Sequence, residues 1–237
     1  MQASSNASSG ARWRLRWRAL RSGLATEILQ RSGAAALVPP TRLLIRGPAH
    51  ATAVCLTFDD GPHPEYTPRL LDALRVENVR ATFFIIGREA ERYPDLVRRT
   101  AAEGHAVANH SYTHADPART SARQLIDEIR RTDALLEGLL GTAKPLFRPP
   151  HGWLTWTKLI RVWRAERTIV LWNANPNDFS RANDAEVRTW FRDHPLRGGD
   201  VVLMHDNHPH AAEVIPDLAE MARRQGLSFA VPTIWIT

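Results

Sequence analysis

Short apolar segments alternate with amphipathic segments along most of the chain, and this alternation restricts its fold more than any other feature. The apolar segments have the length and composition of buried strands. The segments between them have helical periodicity, with Pro68 near a helix start and Gly104 and Gly226 just past helix ends. Strands that alternate with helices predict an α/β fold with a parallel sheet, either an open doubly wound sheet or a barrel. The predicted strands are 53–58, 81–86, 105–109, 146–147, 168–172, 201–204 and 227–230, and the predicted helices are 67–76, 90–103, 121–140, 155–165, 184–193 and 211–225.

Pro39-Pro40 divides the chain into an N-terminal extension, residues 1–40, and a domain, residues 41–237. Eight arginines and one acidic residue lie in the first 50 residues, so the formal net charge of +6 belongs to this end. The first ten residues are small and polar and are expected to be disordered. The domain itself is close to neutral, whereas a nucleic-acid-binding domain carries basic residues over its docking face. No nucleic acid is therefore expected as a partner, and the oligomeric state is left open.

Residues 12–28 of the extension predict a basic amphipathic helix. Most of its arginines lie away from one apolar face, which is formed by Trp13, Trp17, Leu20, Leu24 and Ile28. Such a helix can make peripheral contact with an anionic membrane, or it can pack its apolar stripe onto the domain. Arginines interrupt every candidate core of a secretory signal, and no apolar run approaches the ~18 residues of a membrane span. The expected location is cytoplasmic or peripheral to a membrane.

Two polar clusters near the start of the domain point to a metal ion. Asp59 and Asp60 end the first predicted strand, and adjacent carboxylates repel each other unless a cation or a shared proton offsets their charge. The pair suggests one metal ligand and one general base, although Asp-Gly is also common in plain turns. His110 and His114 follow the third strand, and two histidines four residues apart can face one metal ion if the segment turns as a helix.

Three more polar clusters follow later strands. Arg148 precedes Pro149-Pro150-His151-Gly152, a stiff segment that can fix a guanidinium against a carboxylate. The segment 172–179 offers an apolar wall with several polar groups, and His205 can act as a general acid near neutral pH. Each cluster alone is also compatible with a surface loop. Because parallel strands end on the same side of a sheet, all five loops are expected to surround one opening.

Taken together, these motifs resemble those of the polysaccharide deacetylases, the NodB-homology family, which is carbohydrate esterase family 4. The resemblance covers about residues 43–236 and implies a distorted (β/α) barrel of about seven strands. It also implies a bound divalent metal, usually Zn²⁺, with Co²⁺, Mn²⁺ or Ni²⁺ as alternatives. The motifs that carry it stand in the family's order: Thr57-Phe58-Asp59-Asp60-Gly61-Pro62, residues 81–87, the His110/His114 pair, Arg148-Pro149-Pro150-His151-Gly152 and Leu203-Met204-His205-Asp206.

The resemblance implies a role for each matching residue. Asp60, His110 and His114 would hold the metal. Asp59 would be the general base, oriented by Arg148, and His205 would protonate the leaving amine. A backbone N–H near His151 would help to stabilise the oxyanion, and Leu203 would line the pocket for the acetyl methyl group. The residues expected to bind substrate are Pro150, His151, Trp172, Asn175, Asp178, Phe179 and Leu203.

The fourth motif departs from the family's Asp-x-x-Asp-Trp pattern, because Asn175, Asp178 and Phe179 stand at the matching positions. The first Asp of that pattern supports the catalytic His electrostatically, whereas Asn175 can hydrogen-bond His205 but carries no charge. The departure therefore predicts a lower pKa for His205 than is usual in the family. His151 stands where many members have Tyr, and Phe179 replaces Trp, so the sugar-binding wall is expected to differ as well.

The sequence thus predicts a metal-dependent hydrolase that removes N-acetyl groups from a carbohydrate of the N-acetylglucosamine type. A metal polarises the amide carbonyl and activates water, while a base and an acid complete the hydrolysis. Two alternatives stay open. One is an amide hydrolase of the same fold that acts on a non-sugar C–N bond. The other is a non-catalytic glycan-binding protein, which only Asn175 favours.

Overall fold

The computed structural model describes residues 25–236, and this part of the chain is organised around a curled parallel β-sheet. Its strands are β1 (Leu43–Leu44), β2 (Ala53–Asp59), β3 (Ala81–Ile85), β4 (Ala106–Asn109), β5 (Leu146–Phe147), β6 (Thr168–Val170), β7 (Val201–His205) and β8 (Ser228–Phe229). Seven strands follow one another in the order β1-β6-β5-β4-β3-β2-β7, and β8 pairs with β2 beside this path. A parallel bridge between Ala174 and Val202 brings the chain that follows β6 against β7. The architecture is the distorted (β/α) barrel that the resemblance implies.

Helices cover the outside of the sheet in the described residues. They are α1 (Ala25–Ser32), α2 (Tyr66–Val76), α3 (Gly87–Arg92), α4 (Pro94–Ala102), α5 (Ala122–Leu140), α6 (Trp156–Arg164), α7 (Asp184–Asp193) and α8 (His210–Arg224). The longest, α5, begins with a capping box in which the Ser121 and Gln124 side chains each bond the other's backbone N–H. It ends at Gly141, whose φ of 73° is a left-handed conformation that glycine adopts without strain.

Most predicted elements are confirmed to within a few residues, and two differences have local causes. The helix predicted over 90–103 is two helices, because Tyr93 leaves the helical region at φ −129° and ψ 57° and α4 restarts at Pro94. A residue before proline is disfavoured in the helical region. Strand β1 was not predicted: it has only two residues, and, unlike the equally short β5, it is not followed by one of the polar clusters.

The alternation of side chains along the strands sorts residues between the barrel interior and the helix layer. On β2, Val54, Leu56 and Phe58 face outward into the large core beneath the helices. Cys55 faces inward and joins a layer to which each of the strands β1 to β7 gives one residue: Leu44, Cys55, Phe84, Ala108, Leu146, Val170 and Val201. A packed interior of this kind is a core rather than a pore, so the opening of the barrel lies above it, at the carboxyl ends of the strands.

Helix α1 belongs to the packed fold, although its residues fall within the predicted N-terminal extension. Ala25 and Leu29 are buried in a core cluster with residues of α5 and α6. The Ala25 backbone N–H donates to the Leu154 carbonyl at 2.7 Å. The predicted disordered start, and the predicted amphipathic helix before Ala25, lie outside the described residues. Within those residues, no helix has the length and apolar character that crossing a bilayer would require.

Candidate active site

The polar clusters that follow the strands meet at one cavity, as the parallel sheet requires. The cavity has a volume of about 410 Å³ and opens at the carboxyl ends of the strands. All five predicted clusters contribute residues to its lining, and Trp153 and His208 join them. The lining residues are Asp59, Asp60, His110, His114, His151, Gly152, Trp153, Trp172, Asn175, Asn177, Phe179, Leu203, His205 and His208.

Asp60, His110 and His114 form a group that could hold a metal ion, since one ligand atom from each lies within 4.8 Å of the others. The Asp60 Oδ1 atom is 3.5 Å from His110 Nε2 and 3.4 Å from His114 Nε2. This oxygen is buried and has no hydrogen-bond partner. A buried acceptor left without a partner is costly. Two imidazole nitrogens and a carboxylate oxygen are a donor set that suits a catalytic zinc, so these residues fit the ion that the resemblance implies.

The hydrogen bonds and charges around the two histidines prepare them for this role. His110 Nδ1 lies 2.7 Å from the Arg148 carbonyl, a pure acceptor, so Nδ1 carries the hydrogen and Nε2 faces Asp60. Burial lowers the pKa of His110, but the carboxylates of Asp59 and Asp60 outweigh it and raise that pKa. Burial and the neighbouring His110 lower the pKa of His114 to about 4, so its imidazole is neutral at pH 7. A divalent cation would take the place of the proton that the carboxylates attract.

Asp60 is strongly acidic for related reasons. Burial alone would raise its pKa, but the neighbouring imidazole of His110, with the charges of His114 and His205, lowers the pKa well below its usual range. Its backbone is also unusual, with a φ of 77°. Left-handed φ values recur around the cavity at Ser111, His114, His151 and Asn177. Such conformations cluster at functional sites, where the surrounding structure holds them against strain.

Asp59 is held by Arg148, a fully buried arginine at the centre of the barrel. Arg148 Nη1 donates to Asp59 Oδ1 at 2.7 Å and to Thr57 Oγ1 at 2.7 Å. Arg148 Nε and Nη2 donate to the carbonyls of Val170 and Leu171 at 3.0 and 3.1 Å. Burial lowers the pKa of Arg148 against the opposing effect of Asp59, yet a guanidinium stays charged in proteins. With Oδ1 engaged, the second oxygen of Asp59, Oδ2, lies 3.6 Å from His110 Nε2.

On the other side of the cavity, the partner of His205 is Asp178 rather than Asn175. Asp178 is fully buried, and its Oδ1 lies 2.8 Å from His205 Nδ1 while its Oδ2 accepts the His205 backbone N–H at 2.8 Å. Asn175 Oδ1 instead accepts the backbone N–H of Asn177 at 2.7 Å. Asn177, at φ 54°, turns the chain so that Asp178 reaches β7.

The interaction from which a lower His205 pKa was predicted, a hydrogen bond with Asn175, is therefore not made. Burial lowers the pKa of His205, but the hydrogen bond and charge of Asp178, aided by Asp59 and Asp60, raise it to about 9. Because Nδ1 is committed to Asp178, the Nε2 atom of His205 is the one available to a ligand. An imidazolium held in this way can donate a proton.

The residues expected to bind substrate divide into two groups. His151, Trp172, Asn175, Phe179 and Leu203 line the cavity. Pro150 and Asp178 do not, because both are buried beneath it, and Asp178 acts on His205 instead.

Two lining residues, Trp153 and His208, were missed by the sequence interpretation. Both follow a predicted motif by one to three positions, so their neighbourhood was a signal that could have identified them. The ring of Trp153 lies 5.9 Å from that of His151, and the ring of His208 lies 6.3 Å from that of His205, centroid to centroid. Each therefore continues the lining beside a predicted residue.

Asp206, the residue after His205, is a buried carboxylate that packs against the turn following Asp60. Its Oδ2 accepts the Thr67 hydroxyl at 2.6 Å, and its Oδ1 has no hydrogen-bond partner. Burial and, more weakly, the charge of Asp60 raise the pKa of Asp206 to about 7. Its carboxylate fills the space where a Cβ at Gly61 would stand. Gly61 therefore lets the turn after Asp60 approach β7 closely.

Comparison with known proteins identifies the family of this chain. The family model described as polysaccharide deacetylase matches residues 46–165. A chitooligosaccharide deacetylase of Bradyrhizobium sp. is 38% identical over 163 residues, which are 68% of this chain and 74% of the relative. A peptidoglycan-N-acetylglucosamine deacetylase of Bacillus cereus is 40% identical over 135 residues, 56% of this chain. The match spans 48% of that second relative, about half of its length.

Solved structures give the same result. A peptidoglycan N-acetylglucosamine deacetylase crystallised with 4-naphthalen-1-yl-N-oxidanyl-benzamide superposes with a TM-score of 0.78 at 30% identity, over 83% of this chain and 94% of the other. A family 4 carbohydrate esterase from Streptomyces lividans, in complex with acetate, gives a TM-score of 0.72 at 34% identity, over 79% and 97% of the two chains. The chain therefore belongs to the polysaccharide deacetylase family, and the relatives named above are hydrolases that act on carbon–nitrogen bonds other than peptide bonds.

Proposed function

We propose that this chain is a metal-dependent deacetylase that removes N-acetyl groups from a glycan of the N-acetylglucosamine type. One observation carries the proposal. Asp60, His110 and His114 converge on one side of a cavity that also holds Asp59, and an imidazole with a raised pKa, His205, faces the same cavity. Relatives named as chitooligosaccharide and peptidoglycan-N-acetylglucosamine deacetylases support the substrate class.

Asp60, His110 and His114 would hold the ion, and their nitrogen and carboxylate donors favour Zn²⁺, with Co²⁺, Mn²⁺ or Ni²⁺ as alternatives. A divalent ion at this place supplies polarisation of the amide carbonyl and a lowered pKa of water, to about 7. The three residues leave one side of the group open to the cavity. Substrate and water would enter there.

Asp59 would take the proton from the attacking water. Its Oδ1 is occupied by Arg148, which fixes the carboxylate plane and leaves Oδ2 to receive a proton. Arg148 bonds four partners within the barrel and so has no freedom to turn away from Asp59. Because the base is already oriented, little conformational entropy has to be lost when the substrate reacts.

His205 would return a proton to the leaving amine. With its pKa raised to about 9, it is protonated at neutral pH. Its Nδ1–H is held by Asp178, so the proton that it gives comes from Nε2. Donation to the nitrogen lets the C–N bond break to an amine rather than to an amide anion. General acid–base steps of this kind contribute about 10²–10⁴-fold each.

The aromatic walls of the cavity fit a sugar ring. Trp153, Trp172 and Phe179 line it, and Leu203 adds an apolar surface suited to an acetyl methyl group. Phe179 is half exposed, and its ring lies 5.1 Å from that of His205, so it stands beside the proposed proton donor. Flat apolar faces with a few polar groups between them are typical of small-ligand sites.

The test is acetate release from N-acetylglucosamine oligomers by the metal-free protein, before and after addition of zinc. Asp59→Asn keeps the shape of the side chain and the acceptor for Arg148 but cannot take a proton. We expect it to bind zinc as the wild type does and to lose about 10²–10⁴-fold in rate. Asp95→Asn, which changes an exposed carboxylate on α4, is the matched control and should retain full activity.

Full activity of Asp59→Asn would remove Asp59 from the role of base. Zinc binding without acetate release from any oligomer would contradict the sugar substrate and leave the non-sugar amide or the non-catalytic glycan-binding protein. The one residue that favoured the non-catalytic alternative was Asn175. Since Asn175 makes no hydrogen bond with His205, it no longer favours that alternative.

We also propose that residues 12–28 make peripheral contact with an anionic membrane. The support is the sequence of the segment, in which Arg12, Arg14, Arg16, Arg18 and Arg21 accompany an apolar face. Its last residues, from Ala25, pack onto the domain instead. Co-sedimentation of the full chain with phosphatidylglycerol vesicles at low salt tests this, with phosphatidylcholine vesicles as the control. Equal recovery with both would refute it.

A further inference from the structure

The loop that carries both proposed metal-binding histidines leaves β4 and turns twice through left-handed conformations. Ser111 has a φ of 65° and His114 a φ of 56°. Within the loop, the His114 backbone N–H donates to Ser111 Oγ at 3.1 Å. The conformation is unfavourable for residues with a Cβ, so contacts from outside the loop must hold it. Two of those contacts come from α3, where the backbone N–H groups of Gly87 and Arg88 donate to the Ser111 and Tyr112 carbonyls at 2.9 Å each.

Helix α5 supplies the contacts nearest to His114, through Glu128. Its Oε2 accepts the backbone N–H groups of Tyr112 and Thr113 at 3.3 and 3.2 Å, and its Oε1 accepts the Thr113 hydroxyl at 2.5 Å. The two residues that it holds are those directly before His114. In the described part of the chain Glu128 forms no salt bridge, so its carboxylate is engaged by the loop alone.

The same helix holds the start of the loop through a second carboxylate. Asn109 Nδ2 donates to Asp133 Oδ1 and to the Ile129 carbonyl, each at 2.8 Å. Asn109 Oδ1 in turn accepts the Ser111 backbone N–H at 2.8 Å. Asp133 is fixed by Arg167 at 2.7 Å. The residue before His110 and the residues before His114 are therefore both anchored to α5, a helix that lines no part of the cavity.

We propose that Glu128 is a positioning residue for the metal site, which sets the direction of His114 through the Tyr112–Thr113 backbone. This inference rests on the proposed function only in that Asp60, His110 and His114 hold a metal ion. The Nε2 atoms of the two histidines must point at one place, and the loop backbone determines where His114 points. Groups that orient metal ligands from behind are each worth about 10–100-fold in metal affinity.

The experiment is a titration of the metal-free protein with Zn²⁺ in competition with a chromophoric chelator, together with thermal unfolding of the metal-free protein. Glu128→Ala removes all three hydrogen bonds, and we expect zinc affinity to fall about 10–100-fold. Glu128→Gln keeps one acceptor oxygen and should fall between Glu128→Ala and the wild type. Asp127→Ala is the matched control, because Asp127 is the neighbouring acid on the same helix and is mostly exposed, with Arg123 as its ion-pair partner at 3.9 Å. It should bind zinc as the wild type does.

If Glu128→Ala binds zinc as tightly as the wild type, the inference is overturned. This holds even if the variant is less stable to heat, because Glu128 would then stabilise the fold without orienting His114. If Glu128→Ala does not fold, Glu128→Gln carries the test. Only one acceptor oxygen remains in that variant, so its zinc affinity should be below that of the wild type, and unchanged zinc affinity would overturn the inference equally. If the wild type binds no zinc, the proposed function and this inference are refuted together. If the wild type and Glu128→Ala bind zinc equally tightly, the inference alone is refuted.

Discussion

Replacing Asp178 by Asn should lower the pKa of His205 and slow the proposed reaction. Asp178 is fully buried, and each of its carboxylate oxygens lies 2.8 Å from a nitrogen of His205. Asn has the same shape and one acceptor oxygen but no charge. Burial disfavours the imidazolium form of His205, and the negative charge that opposes this effect most strongly would be gone.

The loss of stability expected in Asp178→Asn follows from the pKa of His205 with and without the Asp178 carboxylate. The pKa of His205 is raised from 6.5 to about 9, and without Asp178 it should return to about 6.5 or below. A fall of about 2.5 in pKa, at 1.36 kcal/mol for each pH unit, corresponds to about 3 kcal/mol of folding free energy. Because the folded pKa is the higher one, this stabilisation is complete below pH 6.5 and is lost as the pH rises through 9.

The assay is urea unfolding of the metal-free protein at pH 6 and at pH 9.5, which isolates His205 from any bound cation. Asp178→Asn should be less stable than the wild type at pH 6, and the difference should shrink by about 3 kcal/mol at pH 9.5. Asp193→Asn, an exposed acid at the end of α7, should show no such change. An NMR titration of the His205 ring gives its pKa directly. A pKa still above 8 in Asp178→Asn, or the same pH dependence as the wild type, would refute the reasoning.

Three further predictions concern the residues that support the site. Arg148→Met should cost about 3–5 kcal/mol of unfolding free energy, because it leaves the buried carboxylate of Asp59 unpaired, and Arg148→Met with Asp59→Asn should recover part of that loss in urea unfolding. Gly61→Ala should cost about 1–3 kcal/mol, since its Cβ would overlap the Asp206 carboxylate. The further change Asp206→Ala should lessen that cost if the overlap is its cause, as thermal unfolding would show. Cys55 is fully buried and burial raises its pKa, so iodoacetamide at pH 8 should label it only in urea. Labelling of the native protein would contradict its place in the barrel interior.

Much of the fold and of the site could be predicted because their signals are local. Apolar segments such as Ala53–Asp59 are continuous, as expected for strands buried on both faces. Each is followed by a polar cluster, and the topology of a parallel sheet gathers those clusters without any knowledge of long-range contacts. The proximity of Asp60, His110 and His114 follows from that rule together with the family resemblance.

The parts that could not be predicted depend on the path of the backbone between elements. Asn175 and Asp178 are both polar residues of one turn, and only the left-handed turn at Asn177 decides which of them meets His205. Glu128 lies on a helix face that its sequence marks only as polar. Its three contacts arise because α5 packs beside the loop after β4, and no periodic pattern reports such packing.

The hydrogen bonds of Arg148 both join strands of the barrel and hold the proposed base, Asp59, in its orientation. One guanidinium joins Asp59 and Thr57 on β2 to the carbonyls of Val170 and Leu171 at the end of β6, and the Thr57 hydroxyl continues to the Val202 carbonyl on β7. Separating these strands would release Asp59 at the same moment. Heating should therefore abolish activity and tertiary structure in a single step, with no intact but inactive form on the way.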